Sequence, residues 1–106
     1  MPQKPLSFIE QLIADIREIG QPKSLAKDEF LVREGDVERN FYWIEKGAVR
    51  AFYLSEYEEK IVRLGYEGSL ITSLSSFIND RPSELYIAAI RKTTLHVVSK
   101  EVFMQR

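Results

Sequence analysis

Apolar positions near the start of the chain fall on a helical period. Phe8, Leu12, Ile16 and Ile19 recur at steps of four, four and three, with Ile9 and Ile13 widening the stripe. That spacing gathers one apolar face on a helix of about 3.6 residues per turn. Ser7 followed by Glu10 supplies the hydroxyl and carboxylate of a capping box, and Gly20 with Pro22 ends the run. The pattern predicts an amphipathic helix over 7–19. Its polar face carries more acid than base, so its apolar face is expected on the protein's own β-structure or on a second copy rather than on a membrane surface.

From Phe30 onward the period shortens to that of strands. Runs at 30–33, 40–44, 48–54, 60–65, 85–91 and 94–98 are separated by turn signals, as in an all-β sandwich or roll. Gly35 and Gly47 mark two of the turns, the second between Phe41-Tyr42-Trp43-Ile44 and Val49 to Leu54; glycine takes the positive φ that a tight hairpin needs. Another hairpin is expected to turn at Ser55 to Glu59. Between Gly68 and Pro82 the helical period returns through Leu70, Ile71, Leu74, Phe77 and Ile78, which predicts a short helix within about 71–78. Ser99 then caps the start of a last helix over 99–106.

Size and charge narrow the function. A chain of 106 residues, 44% hydrophobic, fits one domain with one core. Its 15 basic and 16 acidic residues leave a formal net charge of −1, without the positive surplus that a module neutralising phosphates needs. The absence of cysteine excludes a disulfide, a thiolate nucleophile and a cysteine-held cluster. No apolar run of spanning length and no signal sequence occurs, because Glu10, Asp15, Arg17 and Glu18 interrupt the N-terminal stretch; a cytoplasmic protein with no membrane partner is expected. His96 is the only histidine, too few for a jelly-roll metal site, and is read as a surface or edge residue. No nucleophile–base or acid pair is recognisable, so neither catalytic nor metal residues are assigned. Glu56, Glu58, Glu59 and Lys60 read as a solvated hairpin tip, and Tyr42, Trp43, Phe52 and Tyr53 as sheet packing rather than a base-stacking platform.

The order of the turns carries a resemblance. Leu31-Val32-x-x-Gly35-Asp36, an apolar run ending at Ile44, Gly47, and then Gly65-Tyr66-Glu67-Gly68 before a short apolar segment resemble the cyclic-nucleotide-binding domain of Crp/Fnr-type bacterial transcription regulators. Glu38, where a small residue is usual, and Trp43, within an aliphatic run, depart from the pattern. The resemblance implies a mainly β fold, an antiparallel β-roll or double-stranded jelly roll. It would span 1–106 as a single sensor domain, with helix 7–19, roll 25–98 and helix stub 99–106. It also implies a parent that dimerises through a long helix following Ser99 and reaches DNA only through a C-terminal helix-turn-helix absent from this chain.

The family's phosphate-binding cassette offers helix amides to the cyclic phosphate, a Glu to the ribose and an Arg to the phosphate, the charge-assisted contacts an anion and a sugar hydroxyl call for. From Gly68 the chain reads GSLITSLSSFINDRPSELYIAAI. In this register the Gly-Glu pair falls on Thr72-Ser73 and the Arg-Ser pair on Ser83-Glu84, so both charged contacts are lost and Glu84 adds a carboxylate that repels an anion. Gly68, Ser69, Thr72, Ser73, Ser83 and Glu84 are the candidate pocket of a degenerate cassette. Cyclic AMP is not expected to bind, and no cofactor is assigned beyond an unidentified small polar effector. Arg81, two positions before the aligned arginine, reads as a solvated loop residue. The alternative is that Ser75, Ser76 and the other hydroxyls are caps over a filled pocket, in a stand-alone interaction or dimerisation module without a small-molecule ligand.

Overall fold

The computed structural model describes residues 7–105. Along the chain run α1 (Phe8–Ile19), β1 (Gln21–Leu25), β2 (Phe30–Val32), β3 (Asn40–Lys46), β4 (Ala48–Ser55), β5 (Glu58–Tyr66), β6 (Leu70–Ile71), α2 (Leu74–Asn79), β7 (Tyr86–Ala89), β8 (Thr93–Ser99) and α3 (Lys100–Met104). The strands form two four-stranded antiparallel sheets, β1-β8-β3-β6 and β2-β7-β4-β5. Alternation along the strands sends Leu25, Val32, Ile44, Val49, Ile87 and Leu95 into the core cluster, where burial removes apolar surface from water. This is the expected mainly β roll with an N-terminal helix, an inserted helix and a last helix beginning after Ser99.

Two turns show why the strands meet where they do. Gly47, between β3 and β4, has φ +112°, and a Cβ there would lie 2.5 Å from Thr93 Oγ1 and 2.7 Å from the Lys92 carbonyl. Only glycine fits that crossing. Thr93 Oγ1 in turn accepts from the Ala48 amide at 3.2 Å and bonds the Arg91 carbonyl at 2.8 Å. The β4–β5 hairpin closes through Glu56-Tyr57, with Ser55 opposite Glu58 and Glu56 at φ 58°.

The first sheet has a second apolar layer on its outer face. Ile16 of α1 is fully buried with Trp43 and Val98, and Leu12, Ile13, Ile19, Phe41 and Phe103 pack around them. Ser7 Oγ accepts from the Glu10 amide at 3.1 Å to start α1, and Ser99 Oγ accepts from the Val102 amide at 3.1 Å to start α3, each meeting an orphan donor of a first turn. Phe41 meets Phe103 edge-on with ring centroids 5.3 Å apart.

Three expectations need correction. The chain turns from α1 directly into β1, so the roll begins at Gln21 rather than near 25. A Cβ at Gly20 would sit 2.6 Å from the Ile16 carbonyl, and Pro22 is tolerated because β1 is an edge strand. The helix expected within about 71–78 is present as Leu74–Asn79, but Leu70 and Ile71, read as part of its period, instead pair with Trp43 and Tyr42 as β6. His96 is no edge residue. It lies on β8, inside the first sheet, with its side chain 12% exposed and Nε2 3.0 Å from a Glu45 carboxylate oxygen. Arg106, the end of the expected 99–106 stub, lies outside the described residues.

Candidate functional site

The cassette closes on itself. Ser73 and Ser83, the positions that the resemblance aligns with the ribose-binding Glu and the phosphate-binding Arg, are each 2% exposed, and their hydroxyl oxygens are 2.7 Å apart. Ser83 Oγ also donates to the Leu85 carbonyl at 2.9 Å and lies 3.1 Å from the Leu85 amide. The two short side chains satisfy each other, so each buried hydroxyl has a partner. Thr72 Oγ1 donates to the Asn40 carbonyl at 2.8 Å, Ser69 Oγ accepts from the Tyr66 amide at 3.3 Å, and Ser75 is exposed. Ser76 Oγ accepts from the Glu38 amide at 2.8 Å and bonds the Arg81 carbonyl.

Backbone pairing fastens the two signature loops together. The Gly35 amide donates to the Ser83 carbonyl at 2.8 Å, the Ser83 amide donates to the Asp36 carbonyl at 2.6 Å, and Val37 pairs with Pro82. Gly68 lies exposed in the turn after β5, its amide donating to the Ile44 carbonyl at 2.8 Å. Glu84 and Arg81 are exposed on the loop flanking Ser83. The structure thus brings Ser73 and Ser83 together and leaves Gly68, Ser69 and Glu84 at the surface or in turns.

Glu38 is a functional candidate that sequence reasoning registered only as an unusual residue. It is 4% exposed. Its Oε1 accepts from the Tyr42 hydroxyl at 2.8 Å and from the Asn40 amide at 3.0 Å, while Oε2 is buried with no partner among the described residues. Burial pushes its carboxyl above the ordinary value, against the bonds from Tyr42 and the backbone. Burial and the adjacent Glu38 raise the Tyr42 phenol too. The departure from a small residue at 38 was the available signal; the burial was not readable from it.

A second feature opens on the outer face of the first sheet. Between α1, α2 and α3 lies a groove of about 440 Å³ walled by Leu12, Phe41, Leu70, Leu74, Phe77 and Phe103. Arg63 and Lys100 also line it. Arg63 donates to the Leu70 carbonyl at 2.7 Å, and Lys100 Nζ donates to the Phe77 carbonyl at 2.8 Å while lying 5.2 Å from the Phe77 ring centroid. Sequence reasoning missed both cations because they come from separate elements. Among the described residues, no cluster of three or more His, Cys, Asp or Glu is placed to hold a metal ion, and no helix is long and apolar enough to cross a membrane.

An antiparallel roll with a helix inserted after the sixth strand, bearing this cassette, defines a class. The chain belongs to the cyclic nucleotide-binding domain family, whose sequence model matches residues 22–106. Among solved structures, it is similar to the Catabolite Activator Protein of Thermus thermophilus, with TM-score 0.78 and 18% identity over 90% of this chain and 45% of that one. It is also similar to the sensor domain of the transcriptional regulator DNR from Pseudomonas aeruginosa, with TM-score 0.77 and 18% identity over 91% of this chain and 65% of that one. The EAL enzyme Bd1971 in its cAMP-bound form gives TM-score 0.71 and 26% identity, over 81% of this chain and 23% of that one. This chain therefore spans less than half the length of the Thermus protein and about a quarter of the enzyme. No curated protein sequence matches it.

Proposed function

We propose that this chain is the effector-sensing domain of a Crp/Fnr-like transcription regulator whose cassette has lost cyclic AMP. On this reading it works in the cytoplasm of a bacterium, is not itself an enzyme, and belongs to a parent that dimerises and contacts DNA through a separate helix-turn-helix. The family match and the similarity to regulator folds support the sensing role. One observation carries the loss of cyclic AMP: the Ser73–Ser83 hydrogen bond occupies the space between the two positions that would grip ribose and phosphate. Two missing charge-assisted contacts, each worth about 1.5–3 kcal/mol, correspond to roughly two to four powers of ten in affinity.

Calorimetric titration with cyclic AMP tests the cassette. No heat of binding at micromolar ligand is expected, and a micromolar or tighter constant overturns the proposal and makes Arg81 the first residue to mutate. The coding sequence beyond the Arg106 codon tests the parent: a helix-turn-helix supports the regulator. A stop codon favours a stand-alone interaction or dimerisation module without a ligand, a reading that the internally satisfied hydroxyls of Thr72, Ser73, Ser76 and Ser83 also fit.

A further inference from the structure

The groove between α1, α2 and α3 has the composition of an occupied site. Its volume of about 440 Å³ falls within the roughly 300–1,000 Å³ typical of small-molecule pockets. Leu12, Phe41, Leu70, Phe77, Phe103 and Met104 give it apolar walls, so an apolar occupant would remove a large surface from water.

Two cations at the same cavity specify the rest of the occupant. The half-buried Lys100 ammonium is held by one backbone carbonyl and an aromatic face. The Arg63 guanidinium spends one donor on the Leu70 carbonyl. Among the described residues neither stands within salt-bridge distance of a carboxylate, whereas Arg17, Arg39 and Arg50 all do. A cation drawn partly out of water without a counter-charge is unfavourable, and guanidinium and ammonium donors together suit a carboxylate, which accepts at both oxygens.

We propose that this groove binds a free amphipathic monocarboxylate, its alkyl or aryl body against the apolar walls and its carboxylate between Arg63 and Lys100. The groove shares Thr72 with the segment from Gly68 to Glu84, whereas the buried Ser73 and Ser83 hydroxyls bond each other. An occupant touches Leu12 of α1, Phe77 of α2 and Phe103 of α3 at once, and so adds to the links that Phe41 and the Lys100–Phe77 bond already make among the three helices. The inference deepens the sensing role proposed above by naming the chemical class of the effector.

The test is calorimetric titration of the 106-residue protein with decanoate below its micellar concentration, beside decan-1-ol and decylammonium. Decanoate is expected to bind roughly tenfold or more tightly than the alcohol, with no binding of the amine, and Arg63→Gln and Lys100→Gln are each expected to weaken it by roughly tenfold. Lys27→Gln, which removes an exposed cation in the turn after β1, should leave decanoate affinity unchanged. Absence of decanoate binding, equal affinity for decanoate and decanol, or indifference to Arg63→Gln overturns the proposal. Because Lys100→Gln could also unsettle α3, thermal melts accompany it, and the exposed Arg63 supplies the independent variant. If decanoate fails while a helix-turn-helix follows Arg106, the groove is refuted and the sensing role stands; if decanoate binds and a stop codon follows, the reverse holds.

Discussion

The cassette and the groove share the segment from Leu70 to Phe77 and use it in opposite ways. Ser73 and Ser76 are buried and bonded within the protein, whereas Leu70 and Leu74 remain largely exposed along an open apolar wall. The Ser73–Ser83 pair is polar, buried and internally bonded. The neighbouring surface is apolar, cationic and unsatisfied. Short hydroxyls at positions 73 and 83 hydrogen-bond across the gap between them, while the adjoining groove stays open.

The sharpest way to break this contrast is to loosen the layer that frames the groove. Ile16→Ala removes a fully buried side chain between α1 and the first sheet; a loss of about 2–5 kcal/mol is expected, read as a lower urea midpoint. A loss below about 1 kcal/mol would mean that α1 is not a fixed wall. Next is the cassette seal. Ser83→Ala strips the Ser73 hydroxyl and the Leu85 amide of a partner and should cost about 1–3 kcal/mol; a neutral substitution would show that the seal is incidental.

A smaller effect depends on pH. Because burial raises the Glu38 carboxyl, the folded protein holds that proton more tightly than the unfolded chain, and Asp36 acts in the same direction. Stability from this group is therefore fully present below the ordinary carboxylate range and is lost as pH rises through the raised value. Glu38→Gln keeps an acceptor for Tyr42 and Asn40 without the charge. It should be the more stable protein at pH 8, by about 1.4 kcal/mol for every tenfold by which burial tightens the hold on the proton, and the advantage should vanish near pH 4. Equal melting curves at pH 8 would refute this. The smallest effect belongs to the groove rim: Leu74 is 60% exposed, so Leu74→Ser should change stability by no more than about 0.5 kcal/mol.

Much of the fold was legible because its signals are local. The Phe8–Ile19 stripe, the turn at Gly47 and the alternating runs on either side of it each depend on a few neighbouring residues. β1 was illegible for the opposite reason: Gln21, Pro22, Lys23 and Ser24 are all exposed, and only pairing with β8 makes them a strand. Leu70 and Ile71 fit a helical period and a strand equally well, and their partner β3 decided. That short hydroxyls stand at 73 and 83 could be read directly. The closure could not, because it requires the loop around Pro82 to be fastened to the turn at Gly35, and no local pattern encodes that meeting.

That fastening also bears on the order in which the chain assembles. The bond from the Glu38 amide to Ser76 joins residues 38 apart, while the β4–β5 hairpin closes through two residues. Closing a long loop carries an entropy that a short hairpin avoids, so the seal should form only after the sheets have met. Pulse-labelled hydrogen exchange during refolding should find the β4–β5 amides protected first and the Glu38 and Ser83 amides last. The seam between the Gly35 turn and the Pro82 loop would then be the last to be drawn shut.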